Sequence, residues 1–150
     1  MRRVFMGVIV LVAVMQLIPV NRVNPAVVDP IVFADPAVEA IAKKGCYDCH
    51  SNVTAWPWYS YIAPVSWVVV HHVEEGRARL NFSDIAMTLS HGGEGGEPHP
   101  PAEILEHTQE EMERGSMPPA YYCLTHPDAN LTAEEQTKLL EGIRQALAGR

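Results

Sequence analysis

The chain has 150 residues, 47% of them hydrophobic, with 11 basic and 18 acidic side chains and a formal net charge of −7. That length holds one small domain plus a terminal segment. The acidic balance repels nucleic acid and anionic lipid head groups, which excludes a nucleic-acid partner and favours basic or neutral partner surfaces.

Behind Arg2 and Arg3 an apolar run of about 17 residues, Val4 to Val20, is interrupted only by Gly7, Gln16 and Pro19. It is apolar on every face, which reads as an N-terminal membrane-spanning signal anchor over residues 1–20. The two arginines place its start in the cytoplasm and send the rest to the periplasmic side of a bacterial inner membrane. A cleaved signal peptide is the second reading, disfavoured because "QLIPVNRVNP" offers no Ala-x-Ala site, and a buried core helix is the third. Residues 21–34 lack a helical period and, with Pro25 and Pro30, read as an extended linker.

The domain proper is expected over 35–150 and to be all-α, since no strand pattern competes anywhere. Asp35 as N-cap and Pro36 at the first position predict a helix through "AVEAIAKKG" to Gly45, with Lys43 and Lys44 at its negative end. The proline-broken aromatic stretch "WPWYSYIAPVSW" follows, then a helix from about Pro64 to Arg79 and a short piece capped by Ser83. "SHGGEGGEPHPP", over 90–101, reads as a loop. "AEILEHTQEEMERG" reads as a helix ending at Gly115, and a capping box of Thr132 and Glu135 opens a last one with Leu139, Leu140, Ile143 and Leu147 as its apolar stripe.

The chemistry sits in "GCYDCHSN", where Cys46, Cys49 and His50 fall within five positions. C-x-x-C-H is the attachment pattern for a c-type haem: two thiols add to the two vinyl groups and the adjoining histidine is held beneath the iron. A Cys₃His zinc site with Cys123 and His126 is the structural rival, lacking the small strands such sites use. A redox dithiol would need a βαβ setting that an all-helical chain does not supply.

A haem of this kind takes a sixth ligand, and a methionine sulfur suits electron transfer. Met117 stands in "RGSMPPAYY", after a helix-ending glycine and before two prolines that keep the loop from turning helical. Met87 and Met112 fall in helical patterns and read as packing residues. His71 and His72 are the competing ligands, while His91, His99, His107 and His126 read as surface residues. Trp56, Trp58, Tyr59, Tyr61 and Trp67 are expected to wall the porphyrin, with Arg77 and Arg79 as partners for its propionates. Cys123, left over in an oxidising compartment, is expected to be buried.

The stretch from "CYDCHSNVTAWPWYSYIAPVSWVVVHHVEEGRARLNFS" to "MPPAYYCLTHPDANLTAEEQ" resembles the bacterial haem-binding domain family of exported single-CxxCH proteins, from about Ala34 to the C-terminus. The resemblance implies one covalent haem c per chain on Cys46 and Cys49, His50 as proximal ligand and Met117 in the place of the family's Met-Pro loop. The expected function is a membrane-anchored periplasmic monohaem cytochrome, small and helical, passing single electrons between redox proteins. The alternative is a haem enzyme or ligand sensor with an open or displaceable distal site.

Overall fold

A computed structural model describes all 150 residues. Eight helices and three short 3-10 turns follow one another without a strand, the only bridge being an isolated one between Asp29 and Asp84. The helices are α1 (Arg2–Met15), α2 (Pro36–Gly45), α3 (Tyr47–His50), α4 (Val65–Arg79), α5 (Ile85–His91), α6 (Pro101–Glu113), α7 (Ala120–Thr125) and α8 (Ala133–Leu147). The all-α expectation stands.

The core gathers one stripe from each long helix of the domain's lower half. Val38, Ile41 and Ala42 of α2 meet Ile104 and Met112 of α6 and Leu139, Ile143 and Leu147 of α8, with Phe82 and Ile85 closing one end. Local chemistry sets the ends of these elements. Asp35 Oδ1 accepts from the Ala37 amide at 2.8 Å, and Pro36 supplies the first helical residue without wasting a donor. Thr132 and Glu135 form the expected capping box at the start of α8. Ion pairs of Lys44 with Glu135 and of Lys138 with Asp35 then bind α2 and α8 together.

Three local expectations change. The cap of α5 is Asp84, which accepts from the Met87 amide at 3.1 Å, whereas Ser83 is buried and its Oγ accepts from the Asn52 amide at 2.9 Å. Residues 120–125 after the two prolines do turn helical, as α7, because Pro119 stands at the N-cap, where no amide is required. The segment 21–34 is extended but not a free tether. Arg77 donates to the carbonyl of Val23 at 2.9 Å, Asn52 to that of Ala26 at 2.7 Å, and Ile31 enters the core with 6% exposure.

The predicted membrane-spanning helix is not confirmed: no helix is long and apolar enough to cross a membrane. α1 stops at Met15 after 14 residues, about 21 Å against the ~30 Å of a hydrocarbon core. Gln16 breaks the run, its side chain reaching the backbone of Ala63, where Oε1 accepts from N at 3.0 Å and Nε2 donates to O at 3.2 Å. None of the residues of α1 is buried.

Candidate functional site

A cavity of about 740 Å³ opens between α3, the second half of α4, the Gly92–His99 loop, α6 and the segment from Ser116 to Tyr122. That volume lies within the ~300–1,000 Å³ of cofactor-sized clefts. Cys46, Cys49, His50 and Met117 all line it, although Met117 stands 67 positions after His50.

His50 is the best-defined member. Its Nδ1 lies 3.0 Å from the Leu80 carbonyl oxygen. A carbonyl only accepts, so Nδ1 carries the proton and Nε2 keeps a free lone pair, the tautomer a metal-binding imidazole would need. Desolvation holds its proton affinity below the ordinary histidine value, against the opposing pull of the Leu80 and Gly76 carbonyls. The ring therefore stays neutral near pH 7. Its own carbonyl accepts from the Phe82 amide at 2.8 Å, so backbone and ring are both tied to the chain just after α4.

The thiols are half-buried at the cavity wall. Burial pushes Cys46 up to about 12, with the neighbouring Cys49 adding to the effect, and pushes Cys49 up to about 11, with Asp48 adding. α4 crosses α3 at Gly76, where an added Cβ would stand 2.7 Å from the Cys49 carbonyl oxygen. Only glycine allows that approach.

The far wall is held to the cysteine segment by one side chain. Tyr122 Oη donates to Asp48 Oδ2 at 2.8 Å, and Asp48 Oδ1 accepts from the Ala55 amide at 3.0 Å. Tyr122 also stacks on His126 with ring centroids 4.1 Å apart, and burial followed by the Asp48 carboxylate raises its phenol far above the ordinary value. Met117 is pinned from the other side. Gly115 turns the chain at φ 69°, and the Glu111 carbonyl accepts from the amides of Ser116 and Met117 at 3.0 and 3.1 Å.

The two competing histidines separate. His71 is exposed and faces Glu75 at 3.3 Å, while His72 lines the cavity and accepts from or donates to Tyr121 Oη at 2.5 Å. Two histidines expected on the surface also line the cavity: His99, only 4% exposed, and His107. The Arg79 carbonyl lies 3.3 Å from His99 Nδ1 and fixes a proton there, so His99 Nε2 takes its hydrogen bond from His107 Nδ1 at 3.1 Å. The Gly/Pro composition of the loop hid this, because the contact joins a loop to a helix eight residues on.

The expected aromatic wall does not line this cavity. Trp56, Trp58, Tyr59, Trp67 and Arg77 are not among the residues bounding the cavity, and neither is Tyr61. Trp58 is 75% exposed, Tyr59 hydrogen-bonds Thr125 at 3.2 Å, and the indole nitrogens of Trp56 and Trp67 are buried without partners. Arg77 is committed to the chain itself, donating to Ser51 O, Val23 O, Asn24 Oδ1 and Thr54 Oγ1. Arg79, in contrast, lines the cavity and makes no side-chain hydrogen bond or ion pair. Cys123 is half-buried outside the cavity, and no three His, Cys, Asp or Glu side chains converge as a metal site would need.

The residues present suit a haem. The cavity has the size, one wall offers two thiols and a tautomer-fixed imidazole, another offers a thioether, and a third offers an unpaired guanidinium beside an imidazole pair. No curated protein and no solved structure matches the chain. A family model described as "Haem-binding domain" matches residues 10–145, from within α1 almost to the end of α8. The chain is a member of the haem-binding domain family.

Proposed function

We propose that this haem-binding protein is a monohaem c-type electron carrier, held at the periplasmic face of a bacterial inner membrane by α1. The observation that carries the reading is the hydrogen bond from His50 Nδ1 to the Leu80 carbonyl, which aims a neutral imidazole into a cavity that also receives Cys46, Cys49 and Met117. A haem bound there supplies a reversible one-electron couple at its iron. Cys46 and Cys49 would hold it by thioether bonds, and His50 Nε2 and the Met117 sulfur would be its iron ligands. A thioether favours the ferrous state and places the potential above that of a bis-histidine site. Leu80 keeps the imidazole from turning, a partner that raises ligand basicity. Arg79, His99 and His107 are the groups best placed to meet the propionates, replacing Arg77 in that role. Electrons would pass to and from periplasmic or membrane redox proteins.

Expression with a haem-attachment system tests this. Haem that resists acid–acetone extraction, and a far-red thioether-to-iron band lost in Met117→Ala, are the expected results. Extractable haem, or an unchanged band in Met117→Ala, refutes the ligand set. The hydrogen-bonded His72–Tyr121 pair on the cavity wall favours a second reading, in which ligand enters the distal side and is bound or turned over. Rapid carbon monoxide binding to the reduced wild-type protein would select it.

A further inference from the structure

The aromatic stretch, displaced from the haem cavity, has another use. From Ser51 to Val70 the chain carries no charged side chain, and neither does it from Val4 to Asn21, in a protein with 18 acidic residues. These two uncharged runs are joined in space. Gln16, at the end of α1, makes both of its hydrogen bonds outside its own helix to the backbone of Ala63. Arg22 donates to the Ser60 carbonyl at 3.2 Å, and its guanidinium lies 4.4 Å from the centre of the Tyr61 ring. Around that junction Trp58, Tyr61, Ile62, Val65 and Val68 are all exposed, Trp58 most of all at 75%. Exposed apolar residues grouped in this way mark an interaction surface.

We propose that this face, the turn Trp58–Tyr61 with the first turns of α4, lies in the interfacial layer of the membrane that receives α1. Resting on the anchoring reading above, the proposal adds an orientation to it. The occupant is lipid because the face is continuous with a helix apolar on all sides, which no part of the protein covers. Tryptophan and tyrosine are the residues that favour head-group depth, where the ring meets the acyl boundary and its polar atom meets water. Arg22, held at the rim, is a cation at the level of the phosphates. The arrangement also offsets the shortness of α1, since Leu17, Ile18 and the turn add apolar surface at the end where its helical rise runs out.

The test uses the full-length holoprotein in phosphatidylcholine nanodiscs at one chain per disc, with hydroxyl-radical footprinting read by mass spectrometry. Leu124, 84% exposed and outside the cavity, is the internal reference for Tyr61, 57% exposed. With each rate divided by the residue type's intrinsic reactivity, Tyr61 and Trp58 are expected to oxidise several-fold more slowly than Leu124 in the discs. Equal rates, with the chain bound to the discs, overturn the proposal and leave anchoring intact. Failure to associate with the discs overturns anchoring and orientation together, whatever the haem spectrum shows. Protection that arises only at two chains per disc overturns the lipid assignment in favour of self-association. In Trp58→Ser/Tyr61→Ser the chain should stay in the discs while Val65 and Val68 become open to oxidation, with an unchanged haem spectrum.

Discussion

Gly76→Ala tests whether the crossing of α4 over the cysteine segment fixes the site. Propensity alone says the change should stabilise, since alanine is favoured over glycine in a helix by about 0.8–1.0 kcal/mol. The geometry opposes it. The new Cβ would meet Cys49 O at 2.7 Å, Cys49 C at 3.1 Å and Cys49 Cβ at 3.3 Å, where ordinary contact begins near 3.4 Å. The helices must part by about 0.7 Å at that point, and the obstacle is backbone rather than the tip of a side chain that can swing away. Overpacking of this kind costs about 1–3 kcal/mol, and a backbone obstacle puts it toward the upper end. The steric effect wins, for a net loss of about 1–2 kcal/mol. Guanidinium unfolding of the holoprotein reads that loss, and a redox titration reads the displacement of Cys49 and His50 as a shifted midpoint. Gly95→Ala is the control: its φ is 67° and nothing lies within 4 Å of the added carbon, so it strains a loop and should leave the potential alone. A Gly76→Ala protein as stable as the parent, with an unmoved potential, would refute the reasoning.

Met117→His should keep the haem attached yet lower the midpoint, as expected for exchange of a thioether for an imidazole, and equilibrium redox titration would measure it. Tyr122→Phe keeps the stack on His126 but loses the bond to Asp48; a cost of about 1 kcal/mol and faster cyanide binding to the ferric protein are expected, by denaturation and stopped-flow absorbance. Thr132→Ala should cost about 1 kcal/mol by removing the cap of α8 without touching the visible spectrum. Asp29, Asp35 and Glu135 are held below the ordinary carboxylate range, first by side-chain bonds to Arg150, Lys138 and Lys44 respectively. Their folded-state values lie below the unfolded ones, so their contribution is complete above the unfolded values and is lost as pH falls through the folded ones. Melting temperature should therefore fall on acidification below about pH 4, and Lys44→Met should flatten part of that fall.

What the sequence discloses follows the distance over which each interaction acts. Asp35, Pro36, Thr132 and Glu135 declare helix ends because a cap is made within three residues. Cys46, Cys49 and His50 suggest a haem because the proposed thioether chemistry would require a fixed local spacing. His99 does not, since its burial depends on the Arg79 carbonyl 20 residues before it and His107 eight after. Arg77 and Arg79 are two positions apart in one helix, and only the packed fold commits one to backbone carbonyls and leaves the other facing the cavity. The aromatic stretch follows the cysteine motif in the chain, but Pro57 and the turn after it carry Tyr61 to Arg22, beyond the end of α1. Gln16 shows how one polar residue ends a helix earlier than hydropathy suggests, because its amide meets backbone partners at Ala63 that an isolated helix would lack.

The half-buried thiols have a bearing on how such a protein is made. The species that adds to a vinyl group is the thiolate. In the closed fold Cys46 and Cys49 are pushed up to about 12 and about 11, so at neutral pH almost none is present, and Gly76 of α4 lies directly over Cys49. Covalent attachment as proposed above would therefore belong to an early stage of biosynthesis, while the segment is still open to the attaching machinery. α4 would then fold down over a product already joined. Once the walls have formed around it, a chain that missed its cofactor would have no ready chemical route to acquire one, and its maturation would have to begin again from the unfolded state.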